Sequence, residues 1–268
     1  MNTELIMIGT GSAFPKHSYN SCFAIKSESF LLLVDAGGGN GIFAALQKSG
    51  IAVVDIHHLF TTHVHTDHVF GAIWLIRKVV NMAKESLYSG KLNIYGNKSV
   101  LNTIWQICQL TFLNADYDKM ADCIKFVEVC NDDIFQIQNV SFKCFDVGSA
   151  NVEQTGFRMT LARGKEIVCL GDESLTLRNA QNAANCNILI CGAFCRYADK
   201  EIYQPYEKHH STVRDVAVLA ERFNIRNLVL IHCEDDDVAH RQELYQDEAA
   251  AYYSGKVTVP TDGERLPL

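Results

Sequence analysis

The stretch FTTHVHTDHVFGA, residues 60–72, sets three histidines and an aspartate within six positions: His63, His65, Asp67 and His68. Imidazole nitrogens and carboxylate oxygens are donors that divalent metal ions accept, zinc above all. A spacing of two puts His63 and His65 on one face of an extended segment. Asp67 and His68 then fall in the following turn, where the chain can swing them towards a second position nearby. One short loop can thus feed two adjacent ions. The bland alternative is a histidine-rich loop with no metal. Four ligand-type residues at this spacing, directly after an apolar strand, argue against it.

Other elements must hold this loop and supply further ligands. Short β-branched and aromatic runs read as strands at 5–9, 22–26, 30–35, 57–62, 91–96, 124–129, 134–147, 156–172, 187–193 and 228–233. ARGKE, 162–166, reads as a hairpin turn within one of them. Helical patterns lie at 39–49, 69–86, 98–114, 175–184, 211–223 and 236–251. Ser211 and Thr212 supply polar N-cap candidates before the fifth. Strands in meandering groups with helices between them predict layered α/β with mixed sheets. VDAGGGN (34–40) and CLGDES (169–174) each run from apolar to acidic at the end of a strand, where loops present polar groups on a rigid sheet. Asp35 reads as a carboxylate supporting a ligand or as a turn residue, with turn hydrogen bonding favoured.

The chain has 268 residues, 48% of them hydrophobic, and only 4 prolines, with no Pro/Ser-rich linker or repeat. A single domain over 1–268 is expected. The net charge is -7 and no basic tail is present, which counts against a long polyanionic partner. The N-terminal sequence lacks the basic and apolar regions of a signal peptide, and no window approaches the ~20 apolar residues of a membrane span. A cytoplasmic protein is expected, with its ten cysteines reduced and mostly buried. Cys191 and Cys195 form a CxxxC without the second pair that a zinc site needs.

H-x-H-x-D-H after a strand resembles the metallo-β-lactamase-fold superfamily. GTGSAFP (9–15), VDAGGG (34–39), Asp172 and KHHSTVRDVAVLAERFNIRNLVLIHCE (208–234) narrow the resemblance to its ribonuclease Z-like phosphodiesterase branch. The resemblance implies a four-layer αββα sandwich with two mixed β-sheets. It implies metal ligation by His63, His65, Asp67, His68, Asp172 and His232, with Asp172 bridging two divalent ions, Zn2+ ahead of Mn2+. It makes Asp67 and His210 the catalytic candidates and Ser211 and Thr212 the substrate-binding ones. Two ions about 3.5–4 Å apart can clamp a hydroxide and a phosphoryl oxygen. His210 is typed as general acid for the departing oxygen, or as a donor to the phosphate. The branch is commonly homodimeric.

Two features depart from the branch. Most members carry another histidine before a Gly-aromatic strand start, completing the site of His63 and His65. Here that region reads FDVGSANVEQTGFRM (145–159), and no histidine occurs between His68 and His209. Ser149, Asn151 or a water would have to fill the place, so the first metal site is expected to be weaker. Transfer-RNA-processing members also carry an extruded arm before the bridging aspartate. Only 172 − 149 = 23 positions separate Ser149 from Asp172, which leaves room for one hairpin and no arm.

The leading expectation is therefore a metal-dependent phosphodiester hydrolase acting on a small nucleotide or cyclic nucleotide. A transfer RNA 3′-end endonuclease and a non-catalytic metal-binding sensor with a degraded first site are the alternatives. His57 and His58 read as structural, and His240 as a residue of an exposed helix, while His17 could reach substrate. Tyr19, Phe194, Tyr197, Tyr203 and Tyr206 could stack on a base or simply pack. The acidic run 234–237 either starts the last helix or lies near the metals.

Overall fold

A computed structural model of the chain describes residues 3–161 and 164–268. Its contacts gather into two compact units. The first comprises the described residues up to Gly9, with Tyr19–Val129 and Asp262–Leu268. The second comprises Thr10–Ser18 and Cys130–Thr261.

The first unit is built on a seven-stranded sheet. Its strands are β1 (Glu4–Gly9), β2 (Cys22–Lys26), β3 (Leu31–Val34), β4 (His58–Phe60), β5 (Leu92–Gly96), β6 (Ile124–Glu128) and, last in the chain, β14 (Arg265–Pro267). They lie in the order β14-β1-β2-β3-β4-β5-β6. Pairing is antiparallel from β14 to β3 and parallel from β3 to β6. Helices α1 (Ile42–Lys48), α2 (Thr66–Lys84), α3 (Lys98–Thr111) and α4 (Asn114–Cys123) belong to it. On α2 the residues Val69, Ala72, Ile76 and Val80 recur at helical spacing and are buried with Leu33, Leu59 and Ile94 of the sheet.

The second unit has the same plan. Strands β7 (Ile134–Ile137), β8 (Val140–Asp146), β9 (Thr155–Thr160) and β10 (Glu166–Cys169) pair antiparallel. From β10 the sheet continues in parallel through β11 (Ile188–Gly192), β12 (Asn227–Ile231) and β13 (Lys256–Thr258). Helices α5 (Ala180–Ala183), α6 (Lys200–Tyr203), α7 (Val213–Arg222) and α8 (Val238–Ala250) complete it. Val213, Val216, Ala217 and Ala220 of α7 pack with Val168, Leu189 and Leu230. All side chains of β3 and β11 are buried, so these strands read as continuous apolar runs rather than alternating ones.

Several expectations shift. The helix expected at 69–86 begins at Thr66, so Asp67 and His68 stand on its first turn and not in a preceding loop. His65 is its N-cap, with extended backbone, and the charged residues after it hid the helical start. The run 134–147 is two strands, turning at Gln138 with a φ of 55°. The run 156–172 is also two strands, β9 and β10. The expected turn at ARGKE includes Ala162 and Arg163, which lie outside the described residues. Helix α4 was not expected, because its sequence NADYDKMADC is polar. Strands β13 and β14 are three residues each and gave no pattern to read.

All ten cysteines are free, and only Cys130 is exposed. Burial pushes the Cys195 thiol up to about 12 and that of Cys191 further, which suits inert core thiols. Among the described residues no helix is long and apolar enough to cross a membrane.

His57 and His58 are structural, as expected. The His57 Nδ1 lies 3.0 Å from the Tyr88 hydroxyl, and the His58 Nδ1 3.1 Å from that of Tyr95. Burial, with the neighbouring His57 adding to it, lowers the His58 pKa from 6.5 to about 4. A depressed histidine leaves stability untouched above about pH 6.5, where both states are neutral. Below it the unfolded chain takes up a proton that the folded chain refuses, so stability falls until about pH 4. Denaturant midpoints from pH 7 to pH 4 should therefore decline more steeply for the wild type than for His58→Gln. Equal slopes would show that His58 is not the group responsible.

Candidate metal centre

In the first unit the ligand-type residues follow the C-terminal end of β4, the edge at which α/β sheets present their sites. Asp35, at the end of the neighbouring strand β3, organises them. Its backbone is left-handed, with φ 56°, a conformation rare for non-glycine residues and common at functional positions. Its Oδ1 accepts the Thr62 N–H at 2.8 Å, and its Oδ2 accepts the Thr62 hydroxyl at 2.8 Å. The Nδ1 of His68 lies 2.8 Å from the same Oδ2.

This network fixes two imidazole tautomers. A carboxylate only accepts, so His68 must donate from Nδ1, which leaves the Nε2 lone pair to serve as a ligand. Thr62 gives its one hydroxyl proton to Asp35. Towards the Nδ1 of His63, 2.9 Å away, the Thr62 oxygen can then only accept. His63 therefore carries its proton on Nδ1 and presents Nε2 as well. That Nε2 lies 3.0 Å from the Nδ1 of His65, and the His68 Nε2 lies 3.3 Å from the Asp67 Oδ2. His63, Asp67 and His68 are buried, while His65 is exposed.

Backbone contacts lock the ligand turn to the Asp35 loop. Ala36 N–H donates to His68 C=O at 3.1 Å, and Gly71 N–H to Gly37 C=O at 2.8 Å. A Cβ on Gly71 would meet the Ala36 oxygen at 1.8 Å, so only glycine lets α2 cross so close.

In the second unit Asp172 follows β10 and His232 follows β12, again at the C-terminal ends of parallel strands. Their Oδ2 and Nε2 atoms are 3.8 Å apart. His232 is also left-handed, with φ 56°. The other oxygen of Asp172 accepts the Gln154 amide at 2.7 Å, and the same amide nitrogen donates to the Leu170 carbonyl at 3.2 Å. Gln154 is 2% exposed. It lies in the region where a histidine was expected, and the sequence reading passed over it. A buried amide beside a strand start was the available signal. Ser149 hydrogen-bonds to Glu173, whose carboxyl burial pushes up against that bond. Asn151 is exposed.

His210 lies beside His232, their ring centroids 5.0 Å apart. Ser211 is half-buried. Thr212 takes the N-cap place that its sequence position suggested. It is fully buried, and its hydroxyl closes the capping box of α7, donating to Asp215 Oδ2 at 2.6 Å and accepting the Asp215 N–H. The acidic run is divided in function. Asp237 caps α8 by accepting the His240 N–H. Asp235 accepts the N–H groups of Lys16, His17 and Ser18 at 2.7–3.1 Å. Burial raises the Asp235 carboxyl, and these donors outweigh it, holding the group below the usual carboxylate range. Arg241, 1% exposed, was also missed. Its guanidinium donates to Thr10 Oγ1 and to the carbonyls of Glu234 and Pro260. Tyr19 packs with its hydroxyl on the carbonyls of Ala36 and Gly39, and the ring of Tyr197 carries the Arg214 guanidinium 3.1 Å from its centroid.

The donor sets suit divalent metal. Two ligand atoms on one tetrahedral ion at about 2.0–2.2 Å stand roughly 3.3–3.6 Å apart. The pairs His63–His65, Asp67–His68 and Asp172–His232 show separations of that order, and two of the imidazoles are already in the ligating tautomer. Ribonuclease Z of Nitrosopumilus maritimus (strain SCM1) is 24% identical over 286 aligned positions, which cover 90% of this chain and 93% of that protein. The anti-Pycsar protein Apyc1 of Paenibacillus xerothermodurans is 41% identical over 73 residues, 26% of this chain and 28% of that protein. The crystal structure of the metallo-β-lactamase fold protein YhfI from Bacillus subtilis superposes with a TM-score of 0.81 at 18% identity, covering 100% of both chains. Fold and ligand-type residues together define a metallo-β-lactamase-fold protein, a metal-dependent hydrolase of the ribonuclease Z-like phosphodiesterase branch. Within it the chain belongs to the family of the anti-Pycsar protein Apyc1, whose model matches residues 3–251.

The Asp35 network makes a spectroscopic prediction. Ring 15N shifts of the metal-free protein should show His63 and His68 both protonated at Nδ1. Asp35→Ala should mix the tautomers of both rings and lower metal affinity about 10–100-fold, as loss of a ligand-orienting carboxylate does. Protonation of His63 at Nε2 in the wild type would refute the relay through Thr62.

Proposed function

We propose that this chain hydrolyses a phosphodiester bond in a small nucleotide, cyclic nucleotides included, with divalent metal held by His63, His65, Asp67, His68, Asp172 and His232. Zinc is the favoured ion, because four of these ligands are imidazoles and two are carboxylates. When bound, such ions supply Lewis acidity to a phosphoryl oxygen and bring water to a nucleophilic state near neutral pH.

The chain's own residues divide the remaining work. Asp35 and Thr62 hold two imidazoles with their lone pairs outward. Gln154 occupies one oxygen of Asp172 and so aims the other. Asp67 places a carboxylate among the imidazoles. His210 stands beside His232 on a backbone tied at both ends, its own N–H to the Pro205 carbonyl at 2.8 Å and the Ser211 carbonyl to Phe194 N–H at 3.0 Å. Its imidazole is the proton donor to the departing oxygen.

One observation carries the choice of a small substrate. Between β8 and Asp172 the described chain forms a short connection and the β9–β10 hairpin, with nothing long enough to grip a folded RNA. The acidic net charge of -7 supports the same choice. We further propose that the active form is a cytoplasmic homodimer carrying two ions per chain, with the ion served by His63 and His65 the more weakly held.

Metal content of the purified protein, measured beside hydrolysis of bis-p-nitrophenyl phosphate with Zn2+ or Mn2+, tests the reading. About two ions per chain with turnover is expected, followed by cleavage of cyclic nucleotides in preference to precursor transfer RNA. Asp172→Ala should abolish turnover and most metal binding. His210→Ala should keep its metal and lose roughly 10²–10⁴ in turnover of substrates with a poor leaving group. Cleavage of precursor transfer RNA alone would overturn the substrate class, and no turnover with either ion would overturn the activity.

A further inference from the structure

The His210 ring has a second neighbour. Phe194, which follows β11, lies with its ring 25° from the His210 plane and its centroid 5.3 Å away. His232 approaches the same imidazole at 5.0 Å, so His210 contacts an aromatic ring and a ligand-type ring at once. Phe194 is only 8% exposed. The ring of Tyr203 meets it edge-on at 6.2 Å, and the Lys208 ammonium lies 4.8 Å from its centroid.

The backbone of Phe194 joins the two histidine segments. Its N–H donates to the carbonyl of Ser211, next to His210, and its carbonyl accepts the N–H of Glu234, two residues after His232, at 2.7 Å. The Tyr245 hydroxyl donates to the same carbonyl at 3.0 Å. Cys195 then pairs with Thr212, the cap of α7. Phe194 thus has no freedom to follow a wandering imidazole. His210 itself is half-buried, and it follows His209, which lies in the left-handed region at φ 61°.

We infer that Phe194 is a positioning residue: its ring holds the His210 imidazole in the one orientation from which it can serve the departing oxygen. The inference rests on the proposed role of His210. Stacking of this kind adds to burial and selects one rotamer among the few available. The Lys208 ammonium over the Phe194 face adds a cation–π contact that keeps the aromatic ring in place. Catalysis is sensitive to such orientation, since a small misplacement of a proton donor lowers turnover without touching substrate binding.

The test compares Phe194→Leu, which keeps apolar bulk, with Phe194→Tyr, which keeps the ring. Turnover is measured on a cyclic nucleotide, whose ribose oxygen leaves poorly, and on bis-p-nitrophenyl phosphate, whose phenolate needs little protonation. Phe194→Leu should lose about 10-fold or more in kcat on the cyclic nucleotide with KM nearly unchanged. It should lose less than about 3-fold on the nitrophenyl ester and retain wild-type metal content. Phe194→Tyr should remain within about 3-fold of wild type on both. Equal losses on the two substrates, or loss of metal, would mean that Phe194 only supports the fold. Crystal structures of both variants give a reading independent of activity: His210 should occupy more than one rotamer in Phe194→Leu and a single one in Phe194→Tyr. One unchanged rotamer in Phe194→Leu overturns the inference even if the protein hydrolyses no phosphodiester. A wild type inactive on both substrates would instead sink the functional proposal and leave the rotamer comparison to judge Phe194.

Discussion

The carboxylate of Asp35 is the constraint on which the first unit's site depends. It stands at the end of β3 and accepts hydrogen bonds from the segment after β4 and from the first turn of α2. Two neighbouring segments, 27 and 33 residues further along the chain, meet on its two oxygens. Each of these bonds lies near 2.8 Å, the short range of charge-assisted contacts. The cost is a left-handed backbone at a residue with a Cβ. An unpaired carboxylate at 3% exposure would be far more costly, so the donors around it are obligatory. Because those donors include one imidazole directly and another through a threonine hydroxyl, the demand to satisfy a buried charge also selects the tautomers that suit metal.

The second unit meets the same requirement with different groups. Asp172 and His232 also follow parallel strands, and their supports differ from each other. A neutral amide, Gln154, fixes one oxygen of Asp172. The segment after His232 is anchored by Asp235 on the backbone of residues 16–18 and by Arg241 on Thr10 and the Glu234 carbonyl. Gly192 matters here for steric reasons, since a Cβ would meet the Asp172 carbonyl oxygen at 1.9 Å. Strand β11 can therefore run close beneath the turn that carries the aspartate.

How much of this was legible in the sequence follows from the range of each interaction. His63, His65, Asp67 and His68 fall within six positions, so their spacing alone points to metal chemistry. The long apolar strands and α7 with its capping box were readable for the same reason, because their signals are local. The helical start at Thr66 was placed three residues late, since ligand residues occupy the first turn where helix formers are usually sought. Helix α4 is held by Met120, Cys123 and packing on its neighbours, and its own polar sequence gives no such sign. Gln154, Arg241 and Phe194 were missed as partners because each acts on a residue between 16 and 231 positions away. The separation of Gln154 from Asp172 is set by a hairpin register that no composition rule supplies. Thr212 carried two readings, helix cap and substrate contact, and its hydroxyl serves the cap.

The contrast between Asp35 and Gln154 carries a chemical consequence. A carboxylate behind an imidazole raises the basicity of the ligating nitrogen, so His63 and His68 are strengthened as donors. An amide N–H on Asp172 draws electron density from that carboxylate and occupies one of its oxygens, so Asp172 is weakened and directed to present a single oxygen. Had the expected histidine stood in place of this arrangement, the region would have supplied a nitrogen donor of its own. Here it supplies only control over an oxygen donor. On the proposed reading, the nitrogen donors then come from the H-x-H-x-D-H turn and His232 alone. Oxygen in place of nitrogen favours ions that tolerate oxygen ligands, so the proposed preference for zinc extends by the same reasoning to manganese.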